Sequence, residues 1–375
     1  MRERRTELAV LLKPASGDCD LRCAYCFYRD EMQGRERASY GRMDVQTLRS
    51  IIEKCIESSE RACHFAFQGG EPTLCGLSFF EEVIRAEKEF NRRDIQITNT
   101  IQTNGMALDE NWAEFLRENG FLVGISVDGL SFVHDKYRVR ADGSGTYAEI
   151  EKKIAMLQRM EVPFNVLTVV TPLLAKKAER IYQDYKEKGW RYPQFIPCLD
   201  PLEGKTGKDP VRSLRPADYA IFLKDLFDCW YSDLLQGEPL SISQFDQYVG
   251  MLRGKAPLTC GMGGNCSVQY VTEADGSVYP CDFYVLDSYR LGNFRTDSID
   301  QIDTYRKKTG FTEELRQLPK KCGMCPYYVL CRNGCRRYRD PETGQNRLCE
   351  AYREFFSYTA KRIALLAKVG YGNTI

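Results

Sequence analysis

The first part of the chain alternates short apolar runs rich in β-branched residues with longer stretches whose apolar positions recur every three or four residues. The short runs predict strands at residues 8–13, 64–68, 95–102, 121–127, 164–170 and 194–199. The amphipathic stretches predict helices at residues 44–58, 78–90, 109–118, 146–159, 174–187 and 216–235. Because a helix follows each strand, the order indicates an α/β fold with a parallel sheet, such as a partial (β/α)6 TIM-like barrel.

The pattern leaves open whether the sheet closes into a barrel, but in either case ligands bind at the carboxyl ends of the strands. The unusual loops lie there. A cysteine run follows the first predicted strand, and the sequence Gln-Gly-Gly-Glu-Pro follows the second. The third strand ends in Gln-Thr-Asn-Gly, and the fourth ends in Ser-Val-Asp-Gly. Taken singly, each loop could also be an ordinary glycine-rich connection.

The character of the chain changes after about residue 236, where cysteines become frequent. Residues 268–271 and 278–279 flank Asp275-Gly276, which favours a tight hairpin, and residues 350–369 predict a C-terminal helix. Residues 203–215 are polar, contain Gly and Pro, and predict a long loop. We therefore expect two domains, at residues 1–235 and 236–375.

Charge and hydropathy limit the partners. Lysine plus arginine number 53 and acids 52, so no overall basic field would attract nucleic acid or anionic lipid. No run approaches the roughly 18 apolar residues of a membrane span, and the apolar run at residues 8–12 is too short for a signal peptide. We expect a cytoplasmic protein.

The chain has 16 cysteines and only two histidines, which favours thiolate-bound zinc or iron–sulfur over disulfides in a cytoplasmic protein. Cys19, Cys23 and Cys26 supply three thiolates in one loop, enough to hold three irons of a four-iron cluster and leave the fourth iron open. Such an iron could chelate S-adenosylmethionine. Zinc is the alternative, but no fourth ligand follows at a familiar spacing.

With the aromatics Phe27 and Tyr28, this cysteine run resembles the signature of the radical S-adenosylmethionine superfamily. The loop Gly69-Gly70-Glu71-Pro72 is similar to that superfamily's loop for the cofactor's ammonium group. Its glycines allow close backbone approach, and Glu71 offers a negative charge.

Eight more cysteines follow in the second part of the chain. Their spacing resembles the SPASM extension of radical enzymes, which holds two auxiliary four-iron clusters and so brings the expected total to three. The resemblance implies two ligand sets, Cys260, Cys266, Cys281 and Cys335 for the first cluster, and Cys322, Cys325, Cys331 and Cys349 for the second. Two zinc ribbons are the alternative.

Further stretches narrow the resemblance, above all Tyr279-Pro-Cys-Asp-Phe-Tyr-Val-Leu-Asp287 followed by Arg290-Leu-Gly-Asn. They are similar to the anaerobic sulfatase-maturating enzymes, which convert a Cys or Ser of a sulfatase into Cα-formylglycine. The resemblance implies hydrogen abstraction from the substrate Cβ by a 5′-deoxyadenosyl radical. It also implies a nascent or unfolded sulfatase as substrate and a flavodoxin- or ferredoxin-like electron donor.

The resemblance also assigns residue roles. Asp282, beside Cys281, would be the catalytic base that accepts the thiol or hydroxyl proton. The remaining roles concern S-adenosylmethionine: Gln102, Ser126 and Arg138 at its ribose or methionine end, Tyr25 and Leu199 at its adenine, and Gln68 between cofactor and substrate. Arg140 competes with Arg138 for the same role.

Other interpretations remain. A related SPASM enzyme could form a thioether or carbon–carbon crosslink in a ribosomal peptide, without a base at position 282, and a non-catalytic electron-transfer or zinc protein would need no open iron. His134 is expected in a surface loop. The other cysteines are expected to be packing residues, with Cys75 and Cys198 left open: Cys55, Cys63, Cys75, Cys198 and Cys229.

Overall fold

The computed structural model describes residues 4–201, 211–312 and 318–371. The chain forms two compact units that alternate along the sequence. Unit 1 contains the chain up to Ser126, then Asp135–Phe164 and Val268–Phe311. Unit 2 contains Val127–His134, Asn165–Ser267 and the chain from Thr312 onwards. The expected domain boundary after residue 235 stays a prediction.

Strands and helices are numbered separately in chain order. The strands are β1 Arg5–Leu12, β2 Ser59–Phe67, β3 Gln96–Thr103, β4 Leu122–Ser126, β5 Phe164–Val170, β6 Pro193–Pro197, β7 Tyr270–Thr272, β8 Ser277–Tyr279 and β9 Gly292–Asn293. The helices are α1 Phe27–Gln33, α2 Val45–Ser58, α3 Leu77–Phe90, α4 Glu110–Glu118, α5 Ser131–Tyr137, α6 Tyr147–Arg159, α7 Ala178–Glu187, α8 Pro216–Gln236, α9 Ser243–Leu252, α10 Cys260–Gly263, α11 Ile299–Thr309, α12 Lys320–Gly323, α13 Tyr328–Cys331 and α14 Cys349–Val369.

In unit 1, β1 is the strand around which the sheet is arranged. It pairs in parallel with β2 on one side and with β7 on the other, and Leu12 lies opposite both Phe67 and Thr272. β2 continues to β3 and β3 to β4, all in parallel, whereas β7, β8 and β9 are antiparallel. The strands β1, β2 and β7 therefore end at one edge of the sheet.

Buried and exposed residues alternate along the strands of this sheet, so that one set of side chains forms the core. Val10 and Leu12 of β1 are buried, and so are Phe65 and Phe67 of β2, whereas the residues between them are more exposed. The ring of Phe67 packs against Phe80 of α3, with ring centroids 5.1 Å apart. One face of the sheet is thus covered by helices, as a βα order requires.

Helix ends follow local sequence signals. Asp44 caps α2 by accepting a hydrogen bond from the backbone N–H of Thr47, and Asp109 caps α4 in the same way. Pro216 occupies the first turn of α8, and Gly237 ends that helix in the left-handed conformation.

Unit 2 contains β5 and β6, which pair in parallel, and a helical core. In that core, α8, α9 and α14 meet through aromatic rings: Phe227 packs edge-on against both Phe245 and Phe355, with centroids 5.3 and 5.8 Å apart.

The structure confirms the predicted α/β class with parallel strands. Each predicted strand and helix overlaps an observed one, although β2 begins at Ser59 rather than at residue 64. The predicted hairpin forms through β7 and β8, and residues 203–210 of the predicted loop lie outside the described residues. No described helix has the length and apolar character to cross a bilayer.

One buried acid in the core of unit 1 makes the stability of the protein depend on pH. Glu87 of α3 is 6% exposed, and one carboxylate oxygen accepts a hydrogen bond from Asn99 of β3 at 3.0 Å. Burial raises the pKa of Glu87 to about 7. Folding therefore favours the protonated acid, and this stabilisation is present below the pKa of the unfolded chain and lost as pH rises through about 7.

We expect Glu87→Gln, which imitates the protonated acid, to stabilise the protein at pH 8 but not at pH 5. The difference between the two pH values should approach an upper bound of about 3 kcal/mol. Urea unfolding midpoints of variant and wild type at both pH values measure it. Glu81→Gln, an exposed position on the same helix, is the control. An equal shift at both pH values would show that Glu87 is already ionised when folded.

Candidate active site

Cys19, Cys23 and Cys26 lie in the loop between β1 and α1, and their side chains line one cavity of 630 Å³. Burial raises the pKa of the Cys19 and Cys26 thiols, so their thiolates need compensating positive charge. Arginines around the same cavity can provide it: Arg22, Arg29 and Arg42. Three thiols beside cationic side chains fit an iron–sulfur cluster, whose ligands are thiolates.

Nitrogen donors point at two of these sulfur atoms. The backbone N–H of Leu21 donates to Cys19 Sγ at 3.4 Å, and Asn104 Nδ2 donates to the same sulfur at 3.8 Å. Arg138 Nη1 donates to Cys23 Sγ at 3.8 Å. Donors of this kind stabilise a thiolate and tune the potential of a cluster.

The glycine loop after β2 lies directly against the backbone that leads to Cys19. The N–H groups of Gly70 and Glu71 donate to the carbonyl oxygens of Ser16 and Asp18 at 2.8 and 2.7 Å. A Cβ at position 70 would lie 2.0 Å from the Asp18 oxygen. Gly69 has a φ of +130°, which side-chain-bearing residues rarely adopt. The glycines are therefore required by the neighbouring protein backbone, independently of any ligand.

The Glu71 carboxylate is buried and already has four hydrogen-bond donors within the protein. One oxygen accepts from the N–H and hydroxyl of Thr73 and from the hydroxyl of Thr103, and the other accepts from the N–H of Asn104. Burial raises its pKa and these hydrogen bonds oppose the rise. Glu71 thus ties the glycine loop to the end of β3, and its predicted contact with the cofactor's ammonium stays a prediction.

Gln102 and Ser126 lie at the carboxyl ends of adjacent strands, β3 and β4. The amide of Gln102 donates to the Ser126 hydroxyl at 2.9 Å. Two residues that the sequence assigned to one cofactor therefore contact each other directly.

Arg138 and Tyr25 are likewise neighbours. The guanidinium of Arg138 lies over the Tyr25 ring, 5.5 Å from its centroid, in addition to its contact with Cys23. Arg140 instead forms an ion pair with Glu149 and is about one-third exposed. Of the two arginines, Arg138 is the one beside the cysteine loop.

Asp282 is held between two side chains. Its Oδ1 lies 2.5 Å from the Nζ of Lys13, and its Oδ2 accepts a hydrogen bond from Gln68 Nε2 at 2.8 Å. Lys13 follows β1 and Gln68 follows β2. Because the last residues of these two strands are paired with each other, both side chains reach Asp282. The family resemblance singled out Gln68 and Asp282, whereas Lys13 was not predicted. The sequence signal that could have indicated Lys13 is a single lysine at the end of an apolar strand.

Most of the auxiliary cysteines lie in unit 2. One set lines a cavity of 360 Å³: Cys322, Cys325, Cys331 and Cys349. Of the other predicted set, Cys260, Cys266 and Cys335 lie in unit 2 and interact electrostatically, whereas Cys281 lies in unit 1. That ligand set stays a prediction. Among the described residues, no three His, Cys, Asp or Glu side chains are grouped to hold a single metal ion.

Most of the remaining predictions fall on buried positions, although Cys75 and Cys229 are only partly buried. Cys55, Cys63 and Cys198 are buried, and Leu199, in unit 2, is 7% exposed. His134 is fully buried, and its Nδ1 accepts a hydrogen bond from the N–H of Asp128 at 3.2 Å. The expectation of a surface-loop histidine is therefore wrong, because His134 lies in α5 and its ring satisfies the buried backbone N–H of Asp128.

Two family models match the chain: the radical SAM superfamily over residues 14–187, and the SPASM iron–sulfur cluster-binding domain over residues 263–326. A cysteine-type anaerobic sulfatase-maturating enzyme of Clostridium novyi (strain NT) is 42% identical, over 96% of this chain and 97% of its own. The chain belongs to the anaerobic sulfatase-maturating enzymes.

Two further relatives of this anaerobic sulfatase-maturating enzyme are informative. A serine-type anaerobic sulfatase-maturating enzyme of Bacteroides thetaiotaomicron is 30% identical, over 96% of this chain and 91% of its own. The solved structure "Native anSMEcpe with bound AdoMet and Kp18Cys peptide" is 41% identical with a TM-score of 0.91, over 97% of this chain and 99% of that chain. The predicted radical SAM enzyme with a SPASM domain is confirmed, and these domains bind S-adenosylmethionine and iron–sulfur clusters.

We expect Gly70→Ala to disturb the cysteine loop, because the added Cβ must displace the Asp18 carbonyl. Overpacking of this kind costs about 1–3 kcal/mol of unfolding free energy. Anaerobically reconstituted protein should also retain less iron. Gly250→Ala is the matched control, since its Cβ would meet only a lysine side chain at 3.6 Å. Iron content and urea midpoints that match in both variants would contradict the close packing described here.

Proposed function

We propose that this chain oxidises a cysteine in a sulfatase motif to Cα-formylglycine, with serine as the poorer substrate. The observation that carries the proposal is the full-length 42% identity to a cysteine-type anaerobic sulfatase-maturating enzyme. The serine-type relative is only 30% identical, which favours cysteine. The peptide in the name of the solved relative supports a polypeptide substrate.

The three thiols of Cys19, Cys23 and Cys26 would hold a four-iron cluster with one iron free for S-adenosylmethionine. The four cysteines that line the 360 Å³ cavity in unit 2 would hold a second, fully ligated cluster suited to electron transfer. When bound, cluster and cofactor supply a 5′-deoxyadenosyl radical that takes a hydrogen atom from the substrate Cβ. The total of three [4Fe–4S] clusters stays a prediction from the resemblance to SPASM enzymes.

The residues around the cysteine loop would bind and orient the cofactor. Arg138 and Tyr25 lie beside Cys23, and the Gln102–Ser126 pair offers further polar atoms at the strand ends. The loop Gly69–Gly70 is held against the backbone before Cys19, so its position relative to the cluster ligands is fixed. Leu199 stays a predicted adenine contact.

Asp282 would accept the proton of the substrate thiol as the remaining electron passes to an auxiliary cluster, and hydrolysis of the resulting thioaldehyde would release hydrogen sulfide and leave the aldehyde. Its carboxylate is 14% exposed, which leaves it accessible to a substrate. Oδ1 is buried against Lys13, whereas Oδ2 accepts one hydrogen bond from Gln68 and retains acceptor capacity for a substrate group. The amide of Gln68 would keep Oδ2 oriented and could also contact the substrate. The flavodoxin- or ferredoxin-like electron donor and the cytoplasmic location stay predictions.

Peptides test the proposed reaction directly. We expect anaerobically reconstituted enzyme, given dithionite and S-adenosylmethionine, to convert a Cys-x-Pro-x-Arg peptide into the aldehyde. The matched Ser-x-Pro-x-Arg peptide should react at least about tenfold more slowly, a difference of roughly 1.4 kcal/mol in activation free energy. Mass spectrometry distinguishes aldehyde products from a crosslink. A thioether or carbon–carbon crosslink, or no product with all clusters loaded, would refute the assignment.

Replacement of the proposed base separates radical formation from substrate oxidation. We expect Asp282→Asn to lower the rate of formylglycine formation about 10²-fold or more, because a general base is lost. The cofactor should still be cleaved to 5′-deoxyadenosine. Asp287→Asn, at an exposed carboxylate nearby, is the control. Unchanged formylglycine formation by Asp282→Asn would exclude Asp282 as the base.

A further inference from the structure

The side chain of Lys13 is fully buried, and its charge is compensated by direct contact with Asp282 and by the electrostatic interaction with Glu273. Its Nζ lies 2.5 Å from Asp282 Oδ1, and within the described residues it has no hydrogen-bond partner beyond this ion pair. A buried ammonium is costly unless it is paired, so the pairing holds both groups strongly in place. Loss of Lys13 would leave the Asp282 carboxylate with Gln68 as its remaining partner.

The ammonium is also fixed from its other side. It lies over the ring of Tyr28, 3.9 Å from the centroid, in a cation–π contact. The hydroxyl of Tyr28 donates in turn to the buried carboxylate of Glu273, which Arg35 contacts at 2.6 Å. Tyr28 is therefore anchored at both its face and its hydroxyl, and Lys13 has little freedom to turn away from Asp282.

The aliphatic part of Lys13 contacts the glycine loop. A Cβ added to Gly69 would lie 3.0 and 3.1 Å from the Cβ and Cγ of Lys13. The backbone N–H of Lys13 donates to the carbonyl of Thr272, which continues the pairing of β1 with β7. One residue thus contacts the loop proposed for the cofactor, the residue proposed as base, and the strand that leads towards that base.

We propose that Lys13 is a positioning residue whose buried ammonium sets the orientation of the Asp282 carboxylate relative to the Gly69–Gly70 loop. This inference rests on the proposed function, in which Asp282 is the base. Lys13 itself is fully buried whereas Asp282 is 14% exposed, so a substrate would meet the carboxylate and not the ammonium. Proton acceptance in the transition state depends on sub-ångström placement, which Lys13 would supply.

The test replaces Lys13 by residues that keep its bulk without its charge, Lys13→Met and Lys13→Gln. With the Cys-x-Pro-x-Arg peptide we expect kcat for formylglycine to fall about tenfold or more, with KM for the peptide unchanged. Iron content and 5′-deoxyadenosine formation should stay close to wild type, so more cofactor is cleaved per product formed. Lys54→Met, at a partly buried lysine that donates to backbone carbonyls, is the control and should behave as wild type.

A double-mutant cycle shows whether Lys13 acts through Asp282. In the Asp282→Asn background, Lys13→Met should cause no further loss of kcat, because the group that it positions is already inactive. Additive losses, or normal product formation by both single Lys13 variants, would overturn the inference. Loss of iron from both variants would also overturn it, since Lys13 would then be a folding residue. If Asp282→Asn itself retains activity, the proposed base is wrong and the failure lies there.

Discussion

The parallel pairing of β1 with both β2 and β7 is the constraint on which the candidate site depends. Because Leu12 lies level with Phe67 and with Thr272, the next residues of all three strands emerge at one edge of the sheet. Lys13, Gln68 and Glu273 are those residues. A shift of one residue in either pairing would turn these side chains to the opposite face and separate Lys13 and Gln68 from Asp282.

Charge burial is concentrated at this edge. Glu71 satisfies its carboxylate entirely with protein donors, and Glu273 is paired with Arg35 and Tyr28. Lys13 and Asp282 complete the group as an ion pair. Buried charges contribute little net stability even when paired, so their accumulation at one edge supports the proposal that they fix the geometry of the candidate site.

The sequence predicted the local features and missed the long-range pairings. Strands, helices and the cysteine and glycine loops follow from periodicity and spacing, which are properties of neighbouring residues. The pairing of Lys13 with Asp282 joins residues far apart in the chain, and no pattern around either residue indicates the other. Likewise, Gly70 looks like a ligand loop in sequence, and only the structure shows that the Asp18 carbonyl occupies the space of its Cβ.

The same backbone arrangement explains why the glycine loop and the proposed base can keep a fixed separation. Gly70 and Glu71 are hydrogen-bonded to the segment that leads from β1 to Cys19, and Lys13 in that segment holds Asp282. A displacement of the segment would therefore move the cysteine loop, the glycine loop and the carboxylate together. The proposed reaction would need this property, because hydrogen abstraction and proton transfer would take place on the same substrate side chain and tolerate little relative motion between their groups.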